Sequence, residues 1–301
     1  MTRLVRSVGA LKAGEKRPVR RRAVNQLMVG LTAGATLLAL LPLVLIIAYA
    51  IHRGIGALSA AFFTETFKPI QFGSDAAQGG VLHAIVGSLL ITGAALVMAS
   101  PIGILAGVFL AERQSGMLTG AVRFCNDILS AMPSIVVGVT AYVLIVQRTR
   151  AFSGFAGSAA LAVLMVPTIA RTTEEMLRLI PRGIREASAA LGMPVWRTTL
   201  QVVLPMAVGG ITTGVLLALA RAAGETAPLL VTVLGNNNLS LNLFGPLQAL
   251  PLLAYRYTDQ PYASMNQQAW GAALLLIFFV LGTNLVVRLV LRGRNSGMGQ
   301  R

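Results

Sequence analysis

The chain has 301 residues, 55% of them hydrophobic and only 12% charged, with a mean hydropathy of +0.73. This excludes a water-soluble globular domain, where about one residue in four is charged, and indicates a polytopic membrane protein. A net charge of +15 would suit a nucleic-acid binder, but basic residues in a membrane protein report topology, so no nucleic-acid partner is expected.

Residues 1–26 form a basic tail with eight Lys and Arg, expected either to be solvated in the cytoplasm or to touch anionic lipid. The first apolar run, Leu27 to Ile51, follows that tail without a small-residue cleavage site, so it reads as a retained helix. Residues 27–80 would comprise this helix and an extracytoplasmic loop. Five further runs reach the roughly 20 residues needed to cross about 30 Å of hydrocarbon. They are Val81 to Ala111, Ile128 to Gln147, Ala156 to Thr173, Pro205 to Leu234 and Gln267 to Leu291. In lipid every backbone amide must be bonded within its own segment, so the expected fold is all-α with six transmembrane helices. Residues 81–291 would form a five-helix core and residues 292–301 a C-terminal tail. Nineteen of the 25 Lys and Arg fall on one side of this topology and five on the other, which places both termini in the cytoplasm.

The second run spaces Ala99, Gly103 and Gly107 four apart, and the fifth does the same with Gly210 and Gly214, a pattern that lets helix backbones approach closely. Pro101 and Pro228 are expected to interrupt helical hydrogen bonding, with a cavity near Pro228. Charges at membrane depth are costly and are retained where they pair or line a polar pathway. Arg171 and Glu175, and again Arg221 and Glu225, stand four residues apart, on one helix face. Each pair suits either an anion pathway, with arginine offering a planar fork and glutamate limiting affinity, or a structural salt bridge. Thr172 and Thr173 would add hydroxyl donors, while Glu174 is expected to face water.

Cys125 is the single cysteine, which excludes an intrachain disulfide, and the isolated His52 and His83 read as interfacial rather than metal-binding. Trp196, Trp270, Tyr255, Tyr257 and Tyr262 lie near span boundaries, as an aromatic belt would. Residues Gly235 to Asn266 read as a polar loop on the outer side. No phosphate-cradling glycine loop is present, so any ATP hydrolysis belongs to a partner.

Between the fourth and fifth runs lies Glu186-Ala-Ser-Ala-Ala-Leu-Gly192, followed by Val202-Val-Leu-Pro205. Glycine closes one short helix, Pro194 opens the next, and Pro205 marks the start of the following apolar run. The spacing resembles the EAA loop of ABC importer permeases, EAA-x3-G-x9-I-x-LP, with Ser188 and Val202 as size-conserving replacements. The resemblance implies a coupling loop at about 174–204 in which Glu186, Ala187, Ser188, Gly192, Leu204 and Pro205 help dock a helix onto a cytoplasmic ATPase.

Together with that loop, Asn126-Asp-Ile-Leu-Ser-Ala-Met-Pro-Ser-Ile-Val-Val-Gly138, Arg171-Thr-Thr-Glu-Glu175 and Ala220-Arg-Ala-Ala-Gly-Glu-Thr-Ala-Pro228 resemble the PstA permease family of bacterial phosphate ABC transporters. The similarity runs from about Val81 onward. It implies the type I ABC importer permease fold in the bacterial inner membrane and a transport subunit rather than an enzyme. The implied partners are a PstC-like sister permease, a PstB-like ATPase dimer and a PstS-like phosphate-binding protein outside. ATP and Mg would sit on the ATPase, leaving this chain without a cofactor. Arg171, Thr173, Glu175, Arg221 and Glu225 are the expected phosphate-pathway residues. Alternative readings are a permease for sulfate, molybdate or an organic solute, an ATP-independent channel or secondary transporter, and a structural membrane subunit.

Overall fold

A computed structural model describes residues 19–69, 79–113 and 115–298. Of the basic tail read at residues 1–26, residues 1–18 lie outside them and residues 19–26 are the start of a helix. The chain divides into two units, Met1–Tyr49 and Ala50–Arg301. The described part of the first belongs to α1 (Val19–Gly54), a helix that accommodates Pro42 in its interior.

In the second unit, Ser59 caps the short α2 (Ala60–Thr64), its Oγ accepting from the Phe62 amide at 3.2 Å. There follow α3 (Leu82–Glu112), α4 (Met117–Ala131) and α5 (Ser134–Ala141), the last continuing through a π turn at Tyr142–Val146 into α6 (Gln147–Thr149). Next come α7 (Gly154–Arg178), α8 (Arg182–Ala190) and α9 (Val195–Thr198), which runs through a second π turn, Thr199–Val203, into α10 (Leu204–Ala223). The short α11 (Ala227–Thr232) and α12 (Leu250–Thr258) precede the long α13 (Ala263–Met298). The described residues are thus all-helical apart from two isolated β-bridges.

Five helices are long and apolar enough to cross a membrane, and a sixth crossing is present if α4 and the 134–149 helix, bent by 103° at their junction, count as one. The third apolar run is therefore not one straight helix over 128–147. Met132 precedes Pro133, and both adopt extended backbone (ψ of 132° and 134°), as a residue before proline prefers. The fifth run also differs from expectation. Its helix starts at Val195 rather than at Pro205, because the π turn just ahead of Pro205 accommodates a residue with no N–H to donate. It ends at Ala223 rather than Leu234, and Pro228 sits in the first turn of a separate helix, where it interrupts nothing.

Helix α7 is the axis of this unit. A Cβ at Gly103 would lie 2.7 Å from the Ile169 Cβ, and one at Gly107 would lie 2.5 Å from both the Ala170 carbonyl oxygen and the Thr173 Cβ. On another side, Gly210 of α10 meets Met176, and Gly214 meets Thr172. The small residues four apart therefore serve two contacts with one helix, where van der Waals packing replaces the hydrophobic drive lost in lipid. The buried Ser158 of α7 donates to the Ile91 carbonyl of α3 at 2.9 Å. Ile91, Leu161, Met165, Ile169, Leu229 and Leu252 fill the surrounding core.

Residues 235–266 are more than a polar loop. Helix α12 buries Leu250, Leu252, Leu253 and Tyr257, and the Leu250 amide donates to the Ser88 Oγ of α3 at 2.7 Å. His83, expected at the interface, is buried at the start of α3. Tyr257 likewise leaves the aromatic belt for the interior. Its hydroxyl has no hydrogen-bond partner among the described residues, and burial pushes its pKa up to about 12, so it stays neutral.

Gly103→Leu is expected to lower stability by about 1–3 kcal/mol through overpacking, read as a lower Tm in detergent; an unchanged Tm would contradict the close α3–α7 contact. Tyr257→Phe, which removes a buried hydroxyl without a partner, is expected to leave Tm unchanged or raise it, and a clear loss would mean the hydroxyl has found a partner.

Candidate functional site

The segment between α7 and α10 is built by its punctuation. Pro181, with extended backbone, precedes α8, and Gly192 ends it at φ +74°, a conformation that costs an L-residue roughly 1–2 kcal/mol. The Gly192 amide donates to the Ala189 carbonyl at 2.9 Å and the Met193 amide to the Ser188 carbonyl at 3.1 Å, the paired bonds of a Schellman cap. Glu186, Ala187 and Gly192 are exposed, whereas Ser188 is buried and donates to the Ile184 carbonyl. Leu204 is half-buried and Pro205 exposed. Leu179, Leu191, Val195 and Trp196 are all more than half exposed, an apolar group unusual for a connector and flanked by Arg182 and Arg197.

Beneath α8 lies a cavity of about 680 Å³, lined among others by Glu112, Arg123, Arg178, Arg185 and Glu186. Arg185 pairs with Glu112 at the end of α3, and its Nη2 also donates to the Leu177 carbonyl of α7 at 3.3 Å. Glu174 accepts from Arg123 of α4 at 2.8 Å and from Arg178, one turn along α7, at 2.7 Å. Glu174 was expected to face water, yet its side chain is only 13% exposed. Arg123 approaches from a separate helix, and sequence spacing along α7 carried no sign of it. Glu112, Arg123 and Arg185 escaped the sequence reading for the same reason.

The two Arg/Glu pairs close as the spacing predicts, at 3.2 Å for Arg171 and Glu175 and 3.9 Å for Arg221 and Glu225. Neither arginine is buried within this chain: Arg171 is 70% exposed and Arg221 66%. Arg171 and Glu175 line a second cavity of about 350 Å³ with Arg123, Asn126 and Asp127. Arg221 sits in the last turn of α10, and Glu225 lies in the break before α11. Gly210 opposite Met176 and Gly214 opposite Thr172 make α7 and α10 antiparallel. Arg221 therefore stands seven residues beyond the level of Thr172, roughly 10 Å along the helix axis. The two pairs thus lie at different levels along the α7 and α10 axes. Thr173 joins neither, because it is fully buried against Gly107, and its hydroxyl has no partner among the described residues. Among the described residues no group of three or more His, Cys, Asp or Glu is arranged to hold a metal.

Residues 103–296 match the family described as the binding-protein-dependent transport system inner membrane component. The chain is 43% identical over 271 residues to the phosphate transport system permease protein PstA of Haemophilus influenzae, covering 89% of this chain and 94% of that one. It is 41% identical over 281 residues to PstA of Yersinia pestis, covering 93% and 94%. The chain belongs to the PstA permease family. As a PstA-family chain it is a multi-pass transport subunit of a bacterial inner membrane, not an enzyme, and it works with a binding protein and an ATPase that carries the nucleotide chemistry. This removes the readings of an ATP-independent channel and of a purely structural subunit. The fold is also that of a chain of the inward-facing MetNI methionine ABC transporter, at a TM-score of 0.57 and 23% identity, over 70% of this chain and 94% of that chain.

Gly192→Ala is expected to weaken the α8 cap by about 1–2 kcal/mol, seen as faster amide hydrogen exchange confined to residues near 182–194. Exchange unchanged in that segment would mean the left-handed turn is not required.

Proposed function

We propose that this chain is the transmembrane permease of an ATP-driven inorganic phosphate importer. The observation that carries this reading is the charged helix break at Gly224–Thr226, with Arg221 exposed on one side and Glu225 within it, in a chain so similar to phosphate permeases. Broken helices at membrane depth are tolerated where they meet protein or a water-filled path, and they offer polar backbone groups to a passing ion. A guanidinium fork matches a tetrahedral oxyanion, and a carboxylate 3.9 Å away competes for its donors, so the anion is held and then released. Arg171 and Glu175 repeat the arrangement at a second depth. Thr173 supports α7 from behind in this reading and does not touch the anion.

The excess of basic residues on one side supports cytoplasmic termini, with α8 on the cytoplasmic face. There the exposed apolar residues and Glu186 would meet PstB-like ATPases, with a PstC-like permease alongside in the membrane and a PstS-like phosphate-binding protein outside. Closure of the ATPase dimer on ATP moves α8 and opens the permeases outward, and hydrolysis returns them inward. This is a shift between two packed states, with no covalent bond formed to phosphate.

Uptake of radiolabelled phosphate in cells lacking their own system, supplied with this chain and its partners, tests the reading, with sulfate and molybdate as competitors. Phosphate-selective uptake is expected. Arg221→Gln should reduce it at least about tenfold while the complex still assembles, the effect of losing a charge-assisted hydrogen bond of roughly 1.5–3 kcal/mol. Wild-type uptake by an inserted Arg221→Gln variant would remove Arg221 from the pathway, and efficient competition by sulfate or molybdate would reassign the anion.

A further inference from the structure

We propose that Arg185 and Glu112 form the strut that carries motion of α8 into the membrane helices, with Glu174 as its second joint. This rests on the reading of α8 as the ATPase-docking helix. The chain joins α8 to its neighbours through residues 179–181 and 191–194, and along the side that carries Arg182, Arg185 and Glu186 lies a cleft of about 680 Å³. On that side, away from the buried Ser188, a push on α8 meets no close-packed apolar contact. What spans the cleft is charge: Arg185 reaches Glu112 of α3 with one arm and the Leu177 carbonyl of α7 with the other.

The placement of Glu112 points the same way. It is the last residue of α3, where the helix dipole disfavours an acid, so its position is explained by its partner on α8 rather than by the stability of α3. One helix over, Arg178 donates to the Leu110 carbonyl at 3.5 Å, and Glu174 joins Arg178 to Arg123 of α4. The final carbonyls of α3 and α7, left open by helix geometry, thus each receive an arginine. Force applied at α8 reaches α3 and α7 together, and through Glu174 it reaches α4, the first half of the span that bends by 103°. Glu112 and Glu174 are 20% and 13% exposed, so salt screens these pairs less than it screens a surface pair. Arg185 and Glu112 are positioning residues that act through α3 and α7.

The test uses the complete transporter in proteoliposomes with loaded binding protein, measuring phosphate moved per ATP hydrolysed. Arg185→Gln and Glu112→Gln should each lower that ratio about 5-fold or more while the ATPase still co-purifies, and the exchanged pair Glu112→Arg with Arg185→Glu should recover most of the loss. A purely structural role would reduce the amount of complex and leave the ratio unchanged, which overturns the strut; so does an exchanged pair no better than the single variants. Ala190→Cys, an exposed α8 position, in a Cys125→Ser background, labelled with a maleimide–diazirine whose photolysed carbene inserts into any neighbouring bond, reports docking separately. A crosslink to the ATPase together with unchanged ratios overturns the strut alone, whereas no crosslink in the active complex overturns the docking reading and the strut with it.

Discussion

Close backbone approach to α7 is the constraint on which the rest of this structure depends. Lipid offers helices no hydrophobic reward for meeting, so contact must come from surfaces that fit. Gly103 and Gly107 of α3, with Gly210 and Gly214 of α10, leave no room for a side chain against α7. Once α3 and α10 occupy those faces, Arg171 and Glu175 are left outward on the remaining surface. The same packing brings the end of α7 beside the end of α3, where Glu112, Leu110 and Leu177 meet the arginines of the charged network.

Around this axis two of the apolar runs are broken. Pro133 interrupts the third apolar run, and Gly224–Thr226 separates α10 from α11. Each break exposes backbone groups that a continuous helix would satisfy internally, and each is braced by tight packing nearby. Gly138 lies directly against Pro228, a Cβ there being only 2.6 Å from the Pro228 Cα, so the helices after the two breaks hold one another. Gly157 of α7 in turn receives Leu229 and Val233. The irregular backbone after the two breaks is therefore held by close contacts.

The charged residues divide into two groups by where their partners come from. Arg171 and Arg221 are exposed within this chain, and each pairs with a glutamate one turn further along the chain. Glu112 and Glu174 are mostly covered and satisfied by arginines from other segments, an arrangement suited to holding helices in register.

What the sequence determined by itself is what depends on neighbours along the chain. Hydropathy set the membrane class and the number of apolar runs, the i, i+4 spacing set both Arg/Glu pairs, and the position of Gly192 set the end of α8, because a left-handed turn is a local requirement. Tertiary structure alone decided which face of each helix is covered. Glu174 and Glu175 are adjacent and equally acidic, yet Glu174 is enclosed because Arg123, 51 residues earlier, reaches it from α4, while Glu175 stays open. Buried His83 and Tyr257, and the core-forming α12 within an apparently polar stretch, were illegible for the same reason. Composition describes what a segment prefers to contact, but only the packed helices supply the contact.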